Sequence, residues 1–230
     1  MRFEAVVFDA YGTLFDVYSV GQLADTLYPG QGAAIAALWR DKQLEYSRLV
    51  SLSDPSPGGS RHYLSFWDIT QRALRYALAR VGAAHQPANE AALMAQYRHL
   101  TPFAENTAVL QRLKEVGLAT AILSNANREM LDAAVAAAGY GPLLDDVLSV
   151  ESVRHFKTTP ASYQLVLERF AVDPQAVLFV SSNGWDVMGA TWFGFRTLWV
   201  NRAGLPPETI GPAPTFEGRG LGDVLRVVGA

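Results

Sequence analysis

Four polar clusters in this sequence are candidates for one reaction site. Asp9 follows the apolar, β-branched run Val6-Val7-Phe8 and precedes a turn containing Gly12 and Thr13. Ser124-Asn125 and Ser181-Ser182-Asn183 each follow another apolar run, and Lys157 comes several residues after a third. An acid, hydroxyls, amides and an ammonium together suit the binding of an anion, because the backbone N–H groups of a turn can hold negative charge beside them. Each cluster also has a bland explanation. Asp, Ser and Asn commonly cap a helix that follows a strand, and an isolated Lys is ordinarily a solvated surface charge. Four coincidences at one sheet edge are harder to assign to capping.

Bringing them together requires parallel strands that end at the same edge, and the chain supplies the pattern. After Pro102 helix and strand alternate: a helix through Val109, Leu110, Leu113 and Val116 that closes at Gly117, a strand over 118–123, a helix over 127–138 and a strand over 147–150. A helix over 161–170, a strand over 177–180, a helix over 185–193 and a strand over 197–200 follow. This alternation implies a doubly wound α/β core with a parallel sheet and right-handed crossovers. Open sheets of this kind hold ligands at the carboxyl ends of their strands.

Between the first strand and this alternation lies a stretch with helical periodicity and no convincing strand. Ser19 is a candidate cap for a first helix carrying Val20, Leu23, Ala24 and Leu27. A second helix is expected over 32–52, a loop over 53–60, a third helix through Phe66, Ile69, Ala73, Leu74, Ala77, Leu78 and Val81, and a fourth through Leu93, Met94, Tyr97 and Leu100. The segments 1–15 and 101–230 are therefore expected to form the core, with 16–100 as a helical cap inserted after the first strand. The tail 204–222, rich in Pro and Gly, is expected to wrap the surface before a last helix over 221–228.

Composition narrows the function. Half of the 230 residues are hydrophobic, enough for one sizeable core and an accessory module. A formal net charge of −3 with scattered Lys and Arg argues against a nucleic-acid surface. The chain has no cysteine, which excludes disulfides, thiolate metal sites and a Cys nucleophile and fits a reducing cytoplasm. His62, His85, His99 and His155 lie in no metal-ligand spacing, and no apolar run is long enough to cross a bilayer. A cytoplasmic, soluble protein without membrane or nucleic-acid partners is expected.

The motifs resemble those of the haloacid dehalogenase superfamily, and within it the L-2-haloacid dehalogenases. Phe8-Asp9-Ala10-Tyr11-Gly12-Thr13-Leu14 is similar to the nucleophile motif, Ile122-Leu123-Ser124-Asn125 to the second, Lys157 to the third and Val180-Ser181-Ser182-Asn183-Gly184-Trp185-Asp186 to the fourth. Leu38-Trp39-Arg40-Asp41-Lys42-Gln43-Leu44-Glu45-Tyr46 resembles the dehalogenases' cap segment. The resemblance spans essentially the whole chain and implies a Rossmann-like core.

What the resemblance implies is hydrolysis of an L-2-haloalkanoic acid to the D-2-hydroxy acid. Asp9 is then the nucleophile and Lys157 holds its carboxylate. Thr13, Ser181 and Asn183 position Asp9 and water, and Asp186 orients or deprotonates that water. Ser124 and the turn N–H groups take the substrate carboxylate, while Tyr11, Leu44 and Phe66, with Tyr163 nearby, surround the rest of the substrate. Arg40, Asn125 and Trp185 receive the halide. Arg40 also reads as an amphipathic stem over apolar surface, and Phe66 and Tyr163 as core residues. Many relatives are homodimers, so a dimer is expected; no cofactor and no metal are.

Three departures matter. Phosphatases of the superfamily carry a second acid two residues after the nucleophile, where this chain has Tyr11, and a further acid where it has Ser182. Asp186 alone leaves an impoverished site for Mg²⁺, which takes much of its binding from carboxylate oxygens. The third is Thr158, where the family has Pro after the lysine. A Mg²⁺-dependent phosphatase acting on a small metabolite is one alternative, and a catalytically silent binding protein on the same fold is another.

Overall fold

A computed structural model describes residues 2–17 and 19–230. Strand β1 (Ala5–Phe8), fully buried, is followed by four helices: α1 (Ser19–Leu27), α2 (Gly32–Ser53), α3 (Phe66–Arg80) and α4 (Pro87–Arg98). The alternating part comprises α5 (Asn106–Glu115), β2 (Ala119–Ser124), α6 (Arg128–Ala138), β3 (Asp146–Ser149) and α7 (Pro160–Phe170). It continues with β4 (Val177–Ser181), α8 (Gly184–Phe193), β5 (Arg196–Val200), β6 (Phe216–Gly218) and α9 (Asp223–Val228).

The strands form one parallel sheet in the order β3-β2-β1-β4-β5-β6. Strands covered on both faces read as unbroken apolar runs, as β1 and β4 do. The order reverses between β1 and β4, the place where doubly wound folds bind their ligands. Phe8 pairs with Ile122 on one side and Val180 on the other. This register brings Asp9, Ser124 and Ser181 to the carboxyl edge together.

The four helices pack mainly on one another, α2 against α1 and α3. A buried polar network fixes the rotation of α2. The Trp39 Nε1–H donates to the Thr70 carbonyl (2.7 Å), Gln43 Nε2 to Thr70 Oγ1 (3.0 Å) and the Tyr97 hydroxyl to Gln43 Oε1 (3.1 Å). With Trp39 and Gln43 committed inward, the neighbouring stripe of Arg40 and Leu44 is turned toward the sheet edge. The chain enters and leaves this helical block side by side, the Asp16 N–H donating to the Thr101 carbonyl (2.8 Å).

Two expectations change. Ser19 does not cap α1: it is the first helical residue, and its hydroxyl donates to the Asp16 carbonyl (3.1 Å). The tail does more than wrap the surface, because Phe216–Gly218 adds a sixth parallel strand beside β5. Three residues ending in Gly are too few to show the alternation that marks a strand. Tertiary contact holds them there, with Phe216 edge-on to Phe3 and the Arg196 guanidinium 3.9 Å from the Phe3 ring centre.

Candidate active site

Asp9 leaves β1 into a turn whose Gly12 has φ +90°, a conformation costly for residues with a Cβ. The turn folds Thr13 back so that its hydroxyl donates to Asp9 Oδ2 (3.1 Å) while accepting the Ser182 N–H (2.8 Å). Oδ2 also accepts from Ser181 Oγ (3.3 Å) and Asn183 Nδ2 (2.8 Å). The other oxygen, Oδ1, accepts from Lys157 Nζ (3.1 Å). Three donors thus fix one carboxylate oxygen and one donor the other.

Lys157 is buried, and its ammonium also donates to Asp186 Oδ2 (2.9 Å). Burial alone would pull this ammonium down, but Asp186 and then Asp9 outweigh it and hold its pKa above the ordinary value. Burial pushes Asp186 up to about 6 against the opposing pull of Lys157. Its second oxygen accepts from the Tyr163 hydroxyl (2.8 Å). That approach depends on Gly189, where a Cβ would stand 2.4 Å from Thr158 and 2.7 Å from the Tyr163 hydroxyl. The backbone N–H of Lys157 donates to Asn125 Oδ1 (2.8 Å), tying the end of β2 to the lysine loop, in which the Lys157–Thr158 peptide is cis.

Asp9 opens onto a small cavity, with about 20 Å³ of space for the centre of a water-sized sphere. Tyr11, Leu44, Phe66 and Ser124 line it, as do Arg40, Asn125, Asn183 and Trp185. Arg40 Nη2 donates to Asn183 Oδ1 (3.2 Å), so α2 is bonded to the sheet edge at the cavity wall. Ser124 Oγ accepts the Ala126 N–H (3.2 Å) and keeps its own proton for another acceptor. Burial pushes the Tyr11 phenol up, and its ring stacks on Tyr97. Five expected site residues lie one layer behind the wall: Thr13, Lys157, Ser181, Asp186 and Tyr163. Tyr163, expected beside the substrate, instead packs between Phe179, Phe193 and Phe195 and reaches the site only through Asp186.

Sequence reasoning missed Ala126, which lines the cavity, and Gly189; neither carries chemistry of its own that would single it out. A larger cavity of about 800 Å³ between α1 and α2 shares Arg40 but contains none of Asp9, Lys157 or Asp186. The smaller one is the cavity that Asp9 lines, with Lys157 and Asp186 behind it. Among the described residues no cluster of three or more His, Cys, Asp or Glu is placed to hold a metal ion. No helix there is long and apolar enough to cross a membrane.

A buried carboxylate fixed against an ammonium at the end of β1 suits covalent catalysis. Comparison with known proteins gives the lineage: the haloacid dehalogenase-like hydrolase family model matches residues 3–194. (S)-2-haloacid dehalogenase H-109 of Pseudomonas putida is 43% identical over 221 residues, covering 96% of each chain. The chain belongs to the L-2-haloacid dehalogenases. Among solved structures of this family, the L-2-haloacid dehalogenase RSc1362 superposes with a TM-score of 0.96 at 51% identity, each chain covered completely. The L-2-haloacid dehalogenase from Xanthobacter autotrophicus with chloropropionic acid covalently bound superposes at 0.88 with 40% identity, covering 100% of this chain and 99% of its own.

Proposed function

We propose that this L-2-haloacid dehalogenase hydrolyses L-2-haloalkanoic acids to D-2-hydroxy acids through an ester on Asp9. The observation that carries the reading is the unequal bonding of the two Asp9 oxygens. Oδ1, with one donor, attacks C2 opposite the halogen; the C–O bond forms as the carbon–halogen bond breaks, inverting the centre. Halide departs toward Arg40, Asn125 and Trp185, and Ser124 with the Ala10 and Tyr11 N–H groups takes the substrate carboxylate, since those of Gly12, Thr13, Leu14 and Phe15 are bonded within the turn. Oδ2 becomes the ester carbonyl oxygen. When water attacks the Asp9 carbonyl carbon, charge develops on Oδ2, where Thr13, Ser181 and Asn183 already donate. Donors preorganised at a developing oxyanion are a large source of rate. Asp186 takes one proton of the attacking water. As the bond from the Asp9 carbonyl carbon to Oδ1 breaks, the alkoxide leaves with the water's second proton as the hydroxy acid, Asp9 returns as a carboxylate and Asp186 gives its proton to solvent.

Residues 16–100 serve as a cap over the edge, with 1–15 and 101–230 as the catalytic core. A homodimer in the cytoplasm completes the reading; exposed Leu49 and Leu52 give α2 an apolar outer end. A single turnover with enzyme in excess, in water labelled with heavy oxygen, tests the chemistry. The hydroxy acid should emerge unlabelled and the Asp9 peptide labelled. Label in the product alone would make Asp9 a base. Phosphate release from an aryl phosphate, lost on chelation and restored by Mg²⁺, would favour the phosphatase alternative.

A further inference from the structure

Arg40, Leu44 and Arg48 follow one another at four-residue spacing and share one face of α2. Arg40 bonds to Asn183, which caps α8, and the Arg48 guanidinium carbon lies 5.4 Å from the centre of the Trp185 ring, in the first turn of α8. The two helices are thus joined on both sides of Leu44. Exposed arginines usually lie over apolar surface without consequence. This one differs in that the ring it covers lines the cavity with Asp9. No ion pair to Arg48 is found among the described residues, and the indole is its partner.

We infer that Arg48 is a positioning residue for the dehalogenation: it holds the Trp185 indole at the halide end of the cavity and so sets how tightly halide is gripped. The inference rests on reading Trp185 as part of the halide cradle. Arg40 meets the halide itself, whereas Arg48 acts on it through the ring. A cation over Trp resists displacement of the ring while leaving both side chains free of covalent or ionic constraint. The contact also spans the seam between helical block and sheet, so halide release and opening of that seam are linked.

The test is bromide binding at equilibrium, without substrate, by tryptophan fluorescence or bromide NMR line width. Arg48→Met keeps the stem and removes the cation; Arg48→Lys keeps a cation. Bromide should bind Arg48→Met about two- to fivefold more weakly, with product inhibition by bromide weakened to match and the melting temperature unchanged. Arg48→Lys should recover most of the affinity. Wild-type affinity in Arg48→Met would overturn the inference, and so would equal losses in Met and Lys variants. Wild-type protein that neither binds bromide nor releases halide from 2-chloropropionate would instead overturn the reading of the cavity.

Discussion

On the sheet side of the cavity Asp9 receives four donors and sits in front of a buried lysine, aspartate and tyrosine. On the helical side Arg40 makes one bond, to Asn183, and Leu44 and Phe66 contribute only contact. The reacting carboxylate is thus held by hydrogen bonds from the sheet side, and the helical side closes over it. Covalent chemistry needs the nucleophile and its donors fixed to fractions of an ångström. Admission of substrate needs the opposite, because the cavity beside Asp9 is narrow and Arg40 and Leu44 of α2 form part of its wall. The division of labour follows from the fold: parallel strands fix the register of their ends, whereas α2 meets the core through side chains, with Arg40 on Asn183 and Ser51 accepting the Phe156 N–H (2.8 Å).

The comparison breaks first at Lys157. Lys157→Met leaves Asp9 and Asp186 as neighbouring buried carboxylates with no cation. Removing one member of a buried ionic cluster costs about 3–5 kcal/mol, so the denaturation midpoint should drop sharply and halide release should vanish. A variant folding with wild-type stability would show that the sheet side is not held by charge.

Arg40→Ala should reverse that balance. Loss of a cation from the developing halide should lower kcat/KM about 10²- to 10³-fold. Loss of one half-buried hydrogen bond should change stability by about 1 kcal/mol. Arg40→Lys should also be impaired, because an ammonium lacks the planar fork of donors. Halide release and urea unfolding on the same preparation give both numbers.

A milder effect is expected from pH. Asp186 accepts a proton only when ionised, which is above its raised value near 6. Turnover should therefore climb about tenfold per pH unit below that point and level off above it. The fall on the alkaline side should wait beyond 10.5, because Lys157 is raised from that value and keeps its proton. An Asp186→Asn variant that retains the acid limb would transfer the titration to another group. The smallest change belongs to Leu44→Ala, which should enlarge the cavity and shift preference toward bulkier 2-haloacids by about tenfold, read as a ratio of kcat/KM values. No shift in that ratio would mean that the helical side relaxes into the space or that Leu44 does not set the size limit.

The sheet and the helical insertion were legible because each strand is a short apolar run ending in polar residues and each helix repeats at three and four. β6 was not, since Phe216-Glu217-Gly218 owes its conformation to neighbours and not to its own pattern. The polar residues at the strand ends could be grouped by topology alone, but topology gives no depth. Nothing in the sequence distinguishes Ser124, on the cavity wall, from Ser181, behind it. Tyr163 falls behind Asp186 because α7 packs its ring among three phenylalanines, a tertiary fact. Arg48 carried no signal, since an exposed arginine near the end of a helix is ordinary until the ring beneath it is known.

The resting cavity's small size bears on what limits the rate. Substrate entering between α2 and α8 would have to part the Arg40–Asn183 bond, and loop or domain opening of this kind often sets kcat. A small 2-haloacid that closes the seam behind it is committed: it reacts before it can leave. Its turnover would then slow in a viscous medium, and the isotope effect of the breaking carbon–halogen bond would be hidden. A bulky acid that leaves the seam ajar escapes and returns many times for each reaction, so viscosity ceases to matter and the bond-breaking isotope effect emerges in full.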